Sequence, residues 1–341
     1  MTQVFLYKGV TSFPDPGDWN PIDNTVECVG SGGMGGIAAQ FPPLPGVPWP
    51  QRIFGAGGGA GAYAQGQDLS PSFPVPVGIS TANQASTVFT WFGGTTPGLG
   101  NVYAACGLNA TQNNATSIPT PNQGGSGING VTAYPVGYHG GAGGGGRNDI
   151  QVPTPGEINW TVQPGGGGAG GPNAPAVYGY QPIVPEYASF GGAPNSETGG
   201  GDQSLYPLNQ QNISGDGLID YIWDSVHGVG GGGNGGGDVI ISATAPANPY
   251  PGTSYWDGTT LWIFDVGDVW RAALSTTPGT LDAGNGSPFG GAGGGAVIQY
   301  GGTSGAAGQG SDGIIVITWT DNITPKPPPP PPEGSALFVP G

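Results

Sequence analysis

Hydrophobic and polar positions form two clear strand patterns, one near each end of the chain. Asn24–Val29 alternates polar and apolar residues, a period of two that is typical of a half-buried strand. Residues 313–319 form a β-branched run bounded by turn residues, which is typical of a fully buried strand. We predict that these two strands pair and close one glycine-rich domain over residues 1–322, followed by a proline-rich arm at residues 323–341.

Between these segments the chain is dominated by glycine, with 73 Gly and 37 Pro among 341 residues. Glycine returns in runs without a sustained Gly-X-Y period, which excludes collagen. The runs lie at residues 30–36, 55–61, 124–130, 140–146, 165–171, 199–201, 228–237 and 290–295. Backbones without Cβ atoms can approach to about 5 Å and share N–H···O=C bonds. We therefore predict packed polyglycine II helices, which are extended and threefold, flanked by short β-strands.

Helical periodicity is confined to two short segments. Ile219, Ile222 and Val226 recur at helical spacing until Gly228, and a second candidate helix runs from residue 268 to 274. Both helices are expected to be short elements on long loops. The second lies in an aromatic insert at residues 238–289. The predicted fold class is accordingly mainly β and irregular, with very little α-helix.

The composition favours an ordered chain and argues against negatively charged partners. Such a Gly and Pro content is also compatible with a flexible coil, but 9 Trp, 13 Tyr and 11 Phe favour burial. A net charge of −16 opposes contact with nucleic acid and with anionic lipid. From the N-terminal residues we expect no secretory signal, and no stretch approaches the ~20 apolar residues that membrane insertion requires.

Catalytic and ligand motifs are weak throughout the sequence. Residues 30–35 match G-x-G-x-x-G, but the prolines at 42 and 43 prevent the helix that a dinucleotide site needs, so no cofactor is expected. His139 and His227 each precede a glycine run, and a packing role at the edge of the bundle is favoured over a metal site. The cysteines, Cys28 and Cys106, are predicted to be small buried hydrophobes and not a disulfide.

The acidic residues do not indicate a metal site or a catalytic site either. Asp216, Asp220 and Asp224 would share a helix face, which favours a solvated face over a calcium site because the dense D-x-D-x-D-G loop is missing. Folding could bring two of the 21 Asp and Glu side chains together as a glycosidase pair. With so many acids, that possibility is no evidence for a glycosidase. We expect no metal and no enzymatic activity.

Six segments, taken in order, are similar to the glycine-rich domain proteins found among phage tail-fibre and other virion genes. They are PGDWN at 16–20, NTVECVG at 24–30, GAYA at 61–64, FTWF at 89–92, YAACG at 103–107 and GSDGIIVITW at 310–319. The resemblance covers residues 9–320 discontinuously. It implies glycine stretches that look like the packed polyglycine helices of T-even-type tail-fibre tip adhesins. The insert at 238–289 and the proline-rich tail depart from that pattern.

The resemblance implies a virion surface protein, assembled in the host cytoplasm and oligomeric in the particle. One hypothesis is a fibre-tip adhesin that binds a host surface polysaccharide or an outer-membrane protein. The alternative is a capsid or tail decoration or connector, whose partners are other fibre, tail or capsid subunits.

Receptor contacts are expected at aromatic side chains between the glycine runs, because such rings combine an apolar face with a polar edge. The candidate receptor-binding residues are Tyr178, Tyr180, Tyr187, Trp223, Tyr255, Trp256 and Trp262. The alternative for each ring is that it wraps the polyglycine block.

Overall fold

A computed structural model of the chain describes residues 1–37, 39–41, 51–53, 55–94, 102–110, 136–138, 148–149, 166–171, 219–224, 226–233, 235, 254–256, 261–264, 270–272, 282–296 and 305–321. None of these residues is helical, and their regular elements are β-strands. The strands are β1 (Thr2–Leu6), β2 (Ser12–Phe13), β3 (Asn24–Val29), β4 (Ala39–Phe41), β5 (Gln51–Ile53), β6 (Tyr63–Gln67), β7 (Val75–Gly78), β8 (Phe89–Phe92), β9 (Val102–Ala105), β10 (Val136–Tyr138), β11 (Asn148–Asp149), β12 (Ile219–Ile222), β13 (Gly228–Gly230), β14 (Ser254–Trp256), β15 (Leu261–Phe264), β16 (Trp270–Ala272) and β17 (Ile314–Trp319). The predicted fold class, mainly β and irregular, is confirmed.

The main sheet is antiparallel and has the order β1-β17-β3-β6-β10. The predicted pairing of the two terminal strands is confirmed, since β17 pairs with β3 from Ile314 opposite Val29 to Trp319 opposite Asn24. β17 is an interior strand, and all of its residues except Thr318 are buried, on both faces of the sheet, as predicted. The domain boundary at residue 322 stays a prediction, because residues 322–341 lie outside the described ranges.

A second antiparallel sheet, of order β2-β7-β8-β9, packs on one face of the main sheet. Every second residue of β3 and β17 enters the core between the two sheets, as the period of two requires. This core is built from Leu6, Phe13, Val26, Cys28, Ala62, Ala64, Val75, Val77, Phe92, Val102, Ala104, Ala105, Ile315, Ile317 and Trp319. Both cysteines are free and buried, as the sequence predicts.

The strands continue directly into the glycine runs. β3 leads into residues 30–36, and residues 55–62 lead into β6. β9 leads into 106–110, and residues 305–313 lead into β17. The segments 106–110, 282–287 and 305–313 were not among the runs identified from sequence, but they pack with them and are also called runs below. The other face of the main sheet packs on these and neighbouring runs through a second apolar cluster, which consists of Val29, Tyr63, Ala169, Val229, Ile314 and Val316. Sheet and glycine runs therefore form one continuous structure.

Backbone hydrogen bonds along residues 30–36 repeat every third residue. The amides of Gly30, Gly33 and Gly36 donate to the run 55–62. Those of Gly32 and Gly35 donate to the run 305–313. A strand would alternate with a period of two, whereas a period of three is the repeat of the threefold extended helix. The hydrogen-bond repeat agrees with the predicted conformation, and the assignment of the runs as polyglycine II helices stays a prediction.

Residues 290–296 occupy the centre of the bundle. Three consecutive residues, Ala292, Gly293 and Gly294, each donate to one neighbouring run and accept from another. The six runs that they contact are 30–36, 55–62, 166–171, 228–233, 282–287 and 305–313. These runs are also hydrogen-bonded to one another in a closed ring, through Gly30→Ala62, Gly167→Gly58, Gly166→Gly233, Ser287→Gly231, Ala283→Ala306 and Gly35→Gly308. Among the described residues the packing is therefore hexagonal.

Glycine is required at this spacing because a Cβ atom would collide with a neighbouring backbone. A Cβ on Gly293 would lie 2.0 Å from the carbonyl oxygen of Gly308, and one on Gly55 would lie 1.8 Å from that of Gly36. Alanine is nevertheless accommodated at Ala292 and Ala296, which are both fully buried.

Side-chain oxygens also accept hydrogen bonds from backbone amides of the runs. The Oδ1 atoms of Asp282 and Asn285 accept from the amides of Ala306 and Gln309 at 2.6 and 2.8 Å. The Oδ1 of Asn109 likewise accepts from the Met34 amide at 2.8 Å. These polar side chains therefore pair with backbone donors at the periphery of the bundle.

Both predicted helices are wrong where the structure describes them. Ile219–Ile222 is β12, which pairs with β13, and Trp270–Ala272 is β16, which pairs with β15. Each segment is short and rich in β-branched or aromatic residues, and each has an extended partner that supplies cross-strand hydrogen bonds. Pairing therefore outweighs a helical periodicity of only two turns.

We predict that Gly293→Ala lowers the free energy of unfolding by about 3 kcal/mol or more, because the new methyl group overlaps backbone atoms that cannot move independently. Gly17→Ala is the matched control: its Cβ meets nothing within 4 Å, and its φ of +80° limits the loss to backbone strain of about 1–2 kcal/mol. Urea denaturation measures both variants. Equal losses would contradict the packing described here, and so would an unaffected Gly293→Ala.

Candidate functional site

A buried carboxyl group lies on the bundle side of the main sheet. Glu27 is on β3, opposite Val316, and only 6% of its surface is exposed. The Tyr63 hydroxyl donates to Oε1 at 2.7 Å, and the Trp223 indole N–H donates to Oε2 at 3.0 Å. Burial raises the pKa of Glu27 above its ordinary value, and the two hydrogen bonds oppose that effect without cancelling it.

A second polar group lies in the turn between β12 and β13. Asp224 Oδ1 accepts from the amides of Val226 and His227, both at 2.8 Å, and Oδ2 lies 2.7 Å from His227 Nδ1. The hydrogen bond from the Val226 amide, together with those from His227, holds the pKa of Asp224 below its ordinary value. The other imidazole nitrogen, Nε2, contacts the hydroxyl of Tyr7, just after β1.

Aromatic rings frame this histidine. The Phe5 ring is stacked on His227 with centroids 4.0 Å apart and an interplanar angle of 18°, and the Phe289 ring lies nearly parallel at 6.2 Å. His227 thus packs where the run 228–233 meets the edge of the main sheet, in agreement with the packing role predicted from sequence. Burial, followed by the charge of Asp224, raises the pKa of Tyr7.

The contacts among Tyr7, Asp224 and His227 are hydrogen bonds that hold the turn in place. With neutral His227, Nδ1 donates to Asp224 and Nε2 accepts from Tyr7, so the three groups form a hydrogen-bonded chain that fixes the turn. In the described part of the chain, no group of three or more His, Cys, Asp and Glu side chains could hold a metal ion. That part also includes no helix with the length and hydrophobicity needed to cross a bilayer.

The structure places the predicted receptor-binding residues in different settings. Trp223 is half-buried and bonded to Glu27, so its ring helps to attach the β12–β13 turn to the sheet. Tyr178, Tyr180 and Tyr187 lie outside the described residues, as do His139 and Asp216. Asp220 is in β12 and Asp224 in the turn, so the helix face expected for the three aspartates does not form.

The remaining candidates lie in a three-stranded antiparallel sheet of order β14-β15-β16, which we name the insert sheet. Tyr255 is directly opposite Trp262, and Trp256 is directly opposite Leu261. Opposed residues share one side of a sheet and consecutive residues alternate between sides. The register therefore groups Tyr255 with Trp262 and separates both from Trp256.

Sequence reasoning missed Glu27, Tyr63 and Tyr7 as members of a polar cluster. One signal was present, since Glu27 is an acid within an otherwise apolar, strand-forming segment, and a buried acid needs hydrogen-bond donors. Its donors lie 36 and 196 residues away along the chain, so local spacing could not identify them.

No protein-family model matches the chain, and no curated protein is significantly similar to it. The similarity to phage glycine-rich domain proteins therefore stays an expectation carried by the sequence segments alone.

We predict that Glu27→Gln changes the pH dependence of stability. A folded-state pKa above the ordinary 4.5 means that Glu27 favours folding most at low pH, and that this contribution falls as pH rises from about 4.5 through the raised pKa. The free energy of unfolding of the variant, relative to the unsubstituted protein, should therefore rise across that window and then level off. Urea denaturation from pH 4 to pH 8 measures it. Parallel pH curves would contradict the buried, ionisable state of Glu27.

Proposed function

We propose that this protein is a structural component of a bacteriophage particle, at the tip of a tail fibre or elsewhere on the surface, where it binds a host receptor. The observation that carries the proposal is the closed ring of six glycine runs around residues 290–296. A block held by backbone hydrogen bonds from all sides is a stiff support, and stiffness suits a part that presents binding loops. The resemblance of six sequence segments to phage glycine-rich domain proteins, noted in the sequence analysis, is the second argument for this assignment.

Several of the chain segments that connect the runs begin and finish at the same end of the bundle. Gly55 donates to Ala296, and Ala296 donates to Gly36, so these three residues lie together at the end away from the main sheet. The connections 38–54 and 297–304 therefore leave and return there. The run 228–233 is parallel to 290–296 and the run 282–287 is antiparallel to it, so the connection 234–281, which holds the insert sheet, also begins and ends there.

The charge and composition of the chain fit this role. The net charge of −16 opposes binding to nucleic acid, whereas an uncharged host receptor presents no such barrier. The proposed partners are other virion proteins and either a host surface polysaccharide or an outer-membrane protein. We propose a location on the virion surface and an oligomeric state in the particle, with no enzymatic role and no cofactor.

A decoration or connector protein is the second candidate, and one observation favours it. β1 lies at the edge of the main sheet, and its residues, TQVFL, include no charge and no proline. Edge strands without such protection readily pair with another chain. β1 could therefore join neighbouring subunits of a lattice.

Copy number in purified particles separates the two candidates. An adhesin at fibre tips should be present in a few to a few dozen copies per particle, as measured by quantitative mass spectrometry against the major capsid protein. Antibodies to this chain should also block adsorption to host cells, while antibodies to the capsid protein should not. Hundreds of copies would favour decoration, and absence from the particle would refute both candidates.

A further inference from the structure

Strand β1 lies at one edge of the main sheet, where its neighbour among the described strands is β17 on one side only. The direction of its backbone groups follows from the register of the sheet. The Thr320 amide donates to the Asp23 carbonyl oxygen at 3.2 Å, so the backbone groups of the even-numbered residues along β17 face β3. Those of Ile315, Ile317 and Trp319 therefore face β1.

The same alternation shows which backbone groups of β1 bond to β17. Thr2, Val4 and Leu6 are opposite those three residues, so their N–H and C=O groups pair with β17. The N–H and C=O groups of Gln3 and Phe5 consequently point away from β17, toward the outer edge of the sheet. Two donors and two acceptors are thus placed to bond to a further antiparallel strand.

Exposed apolar side chains flank this edge. Met1 precedes β1 and is 88% exposed, and Tyr7 follows it and is 42% exposed. Val226, which is 64% exposed, precedes His227, whose ring contacts the Tyr7 hydroxyl. These are three of the five exposed large hydrophobic residues in the described part of the chain, and such a concentration is typical of an interface. The edge of β1 therefore offers apolar surface as well as backbone groups.

We propose that β1 pairs antiparallel with β1 of a second copy of this chain, so that the two main sheets join into one continuous sheet. The inference rests on the oligomeric state included in the proposed function and gives that state a specific contact. Two-fold dimers are the commonest soluble homo-oligomers, and their interface uses the same surface of both copies. An antiparallel pair of identical edge strands has this symmetry.

The register follows from the outward-pointing groups. With the Val4 residues of the two copies opposite each other, each Gln3 lies opposite a Phe5 of the other copy. Each of these pairs exchanges two N–H···O=C bonds. Met1 then lies opposite Tyr7 of the other copy, so the exposed apolar side chains at the two ends of β1 meet. A shifted register would separate them.

Local charge favours this contact, although the whole chain carries a net charge of −16. β1 itself, TQVFL, includes no charged side chain. Lys8 follows one end of the strand, and at the other end Asp321 accepts a hydrogen bond from the Thr2 hydroxyl at 2.9 Å. Antiparallel pairing brings Lys8 of one copy to the end of β1 at which Asp321 of the other copy lies, so these two charges attract each other.

The two bundles of such a dimer extend in opposite directions. β1 runs toward the bundle, since Leu6 is opposite Ile315 near the start of β17, directly after the run 305–313. Antiparallel pairing of β1 therefore points the second bundle the other way. This arrangement suits the connector candidate, because each dimer presents a bundle at both of its ends.

Gln3→Pro tests the backbone contact, because proline has no N–H to donate and the N–H lost at this position points away from β17. Gln3→Ala is the matched control, since it removes the same side chain and its hydrogen bond to Thr318 but keeps the N–H. Sedimentation equilibrium of the full-length protein over roughly 1–100 µM should show a monomer–dimer equilibrium. Gln3→Pro should weaken dimerisation about tenfold or more, and Gln3→Ala less than about threefold, because each dimer contains two Gln3 donors. Near-ultraviolet circular dichroism checks that both variants are folded.

Hydrogen exchange of the unsubstituted protein gives a second measurement that needs no variant. The Gln3 and Phe5 amides should exchange fast in the monomer and more slowly as the dimer forms. The Val4 amide, which bonds to β17, should exchange slowly at every concentration.

A protein that stays monomeric over the whole concentration range would overturn the inference, and so would an assembly larger than a dimer. Equal weakening by Gln3→Pro and Gln3→Ala would place the contact elsewhere. Slow exchange of the Gln3 and Phe5 amides in the monomer would show that the chain covers its own edge. Each of these results leaves the proposed function intact if purified particles contain the protein. Absence from particles would instead refute the proposed function, whatever the association in solution.

Discussion

Everything in this fold depends on how closely the glycine backbones approach one another. At the centre, Ala292, Gly293 and Gly294 bond to six surrounding runs, and a Cβ on Gly293 would overlap the backbone at Gly308. Ordering glycine is costly in conformational entropy, so no single run would be stable alone. The ring of mutual hydrogen bonds offsets that cost collectively, because each run supplies acceptors or donors to several others. The bundle should therefore form and unfold as one cooperative unit.

The main sheet gives this bundle the hydrophobic stabilisation that glycine cannot provide. Four strands continue as glycine runs, and Val29, Ile314 and Val316 pack on Ala169 and Val229 of the runs. The turn after β12 adds a polar attachment through Trp223 on Glu27 and His227 on Tyr7. Sheet and bundle thus stabilise each other, and the polar cluster has a structural role at their junction.

The sequence predicted those features that arise from strong local patterns. The alternation of Asn24–Val29 and the β-branched run before Trp319 identified two paired strands, and the glycine runs indicated side-by-side packing. The neighbours of each run could not be predicted, because residues without side chains carry no pairing preference. The role of Asn285 as an acceptor for Gln309 and the partners of Glu27 depend on distant chain segments. The helix predicted over Ile219–Ile222 is wrong because the spacing of apolar residues does not reveal that this segment pairs with β13.

Hydrogen exchange of the glycine amides tests the central claim most directly. The amides of Gly293 and Gly58 donate to buried backbone carbonyls in the middle of the bundle. If the packing is as described, both should exchange at least about a thousandfold more slowly than in an unstructured peptide, and at rates similar to each other, because they open only with the whole unit. Exchange of these amides at the rate of a free peptide would contradict the account.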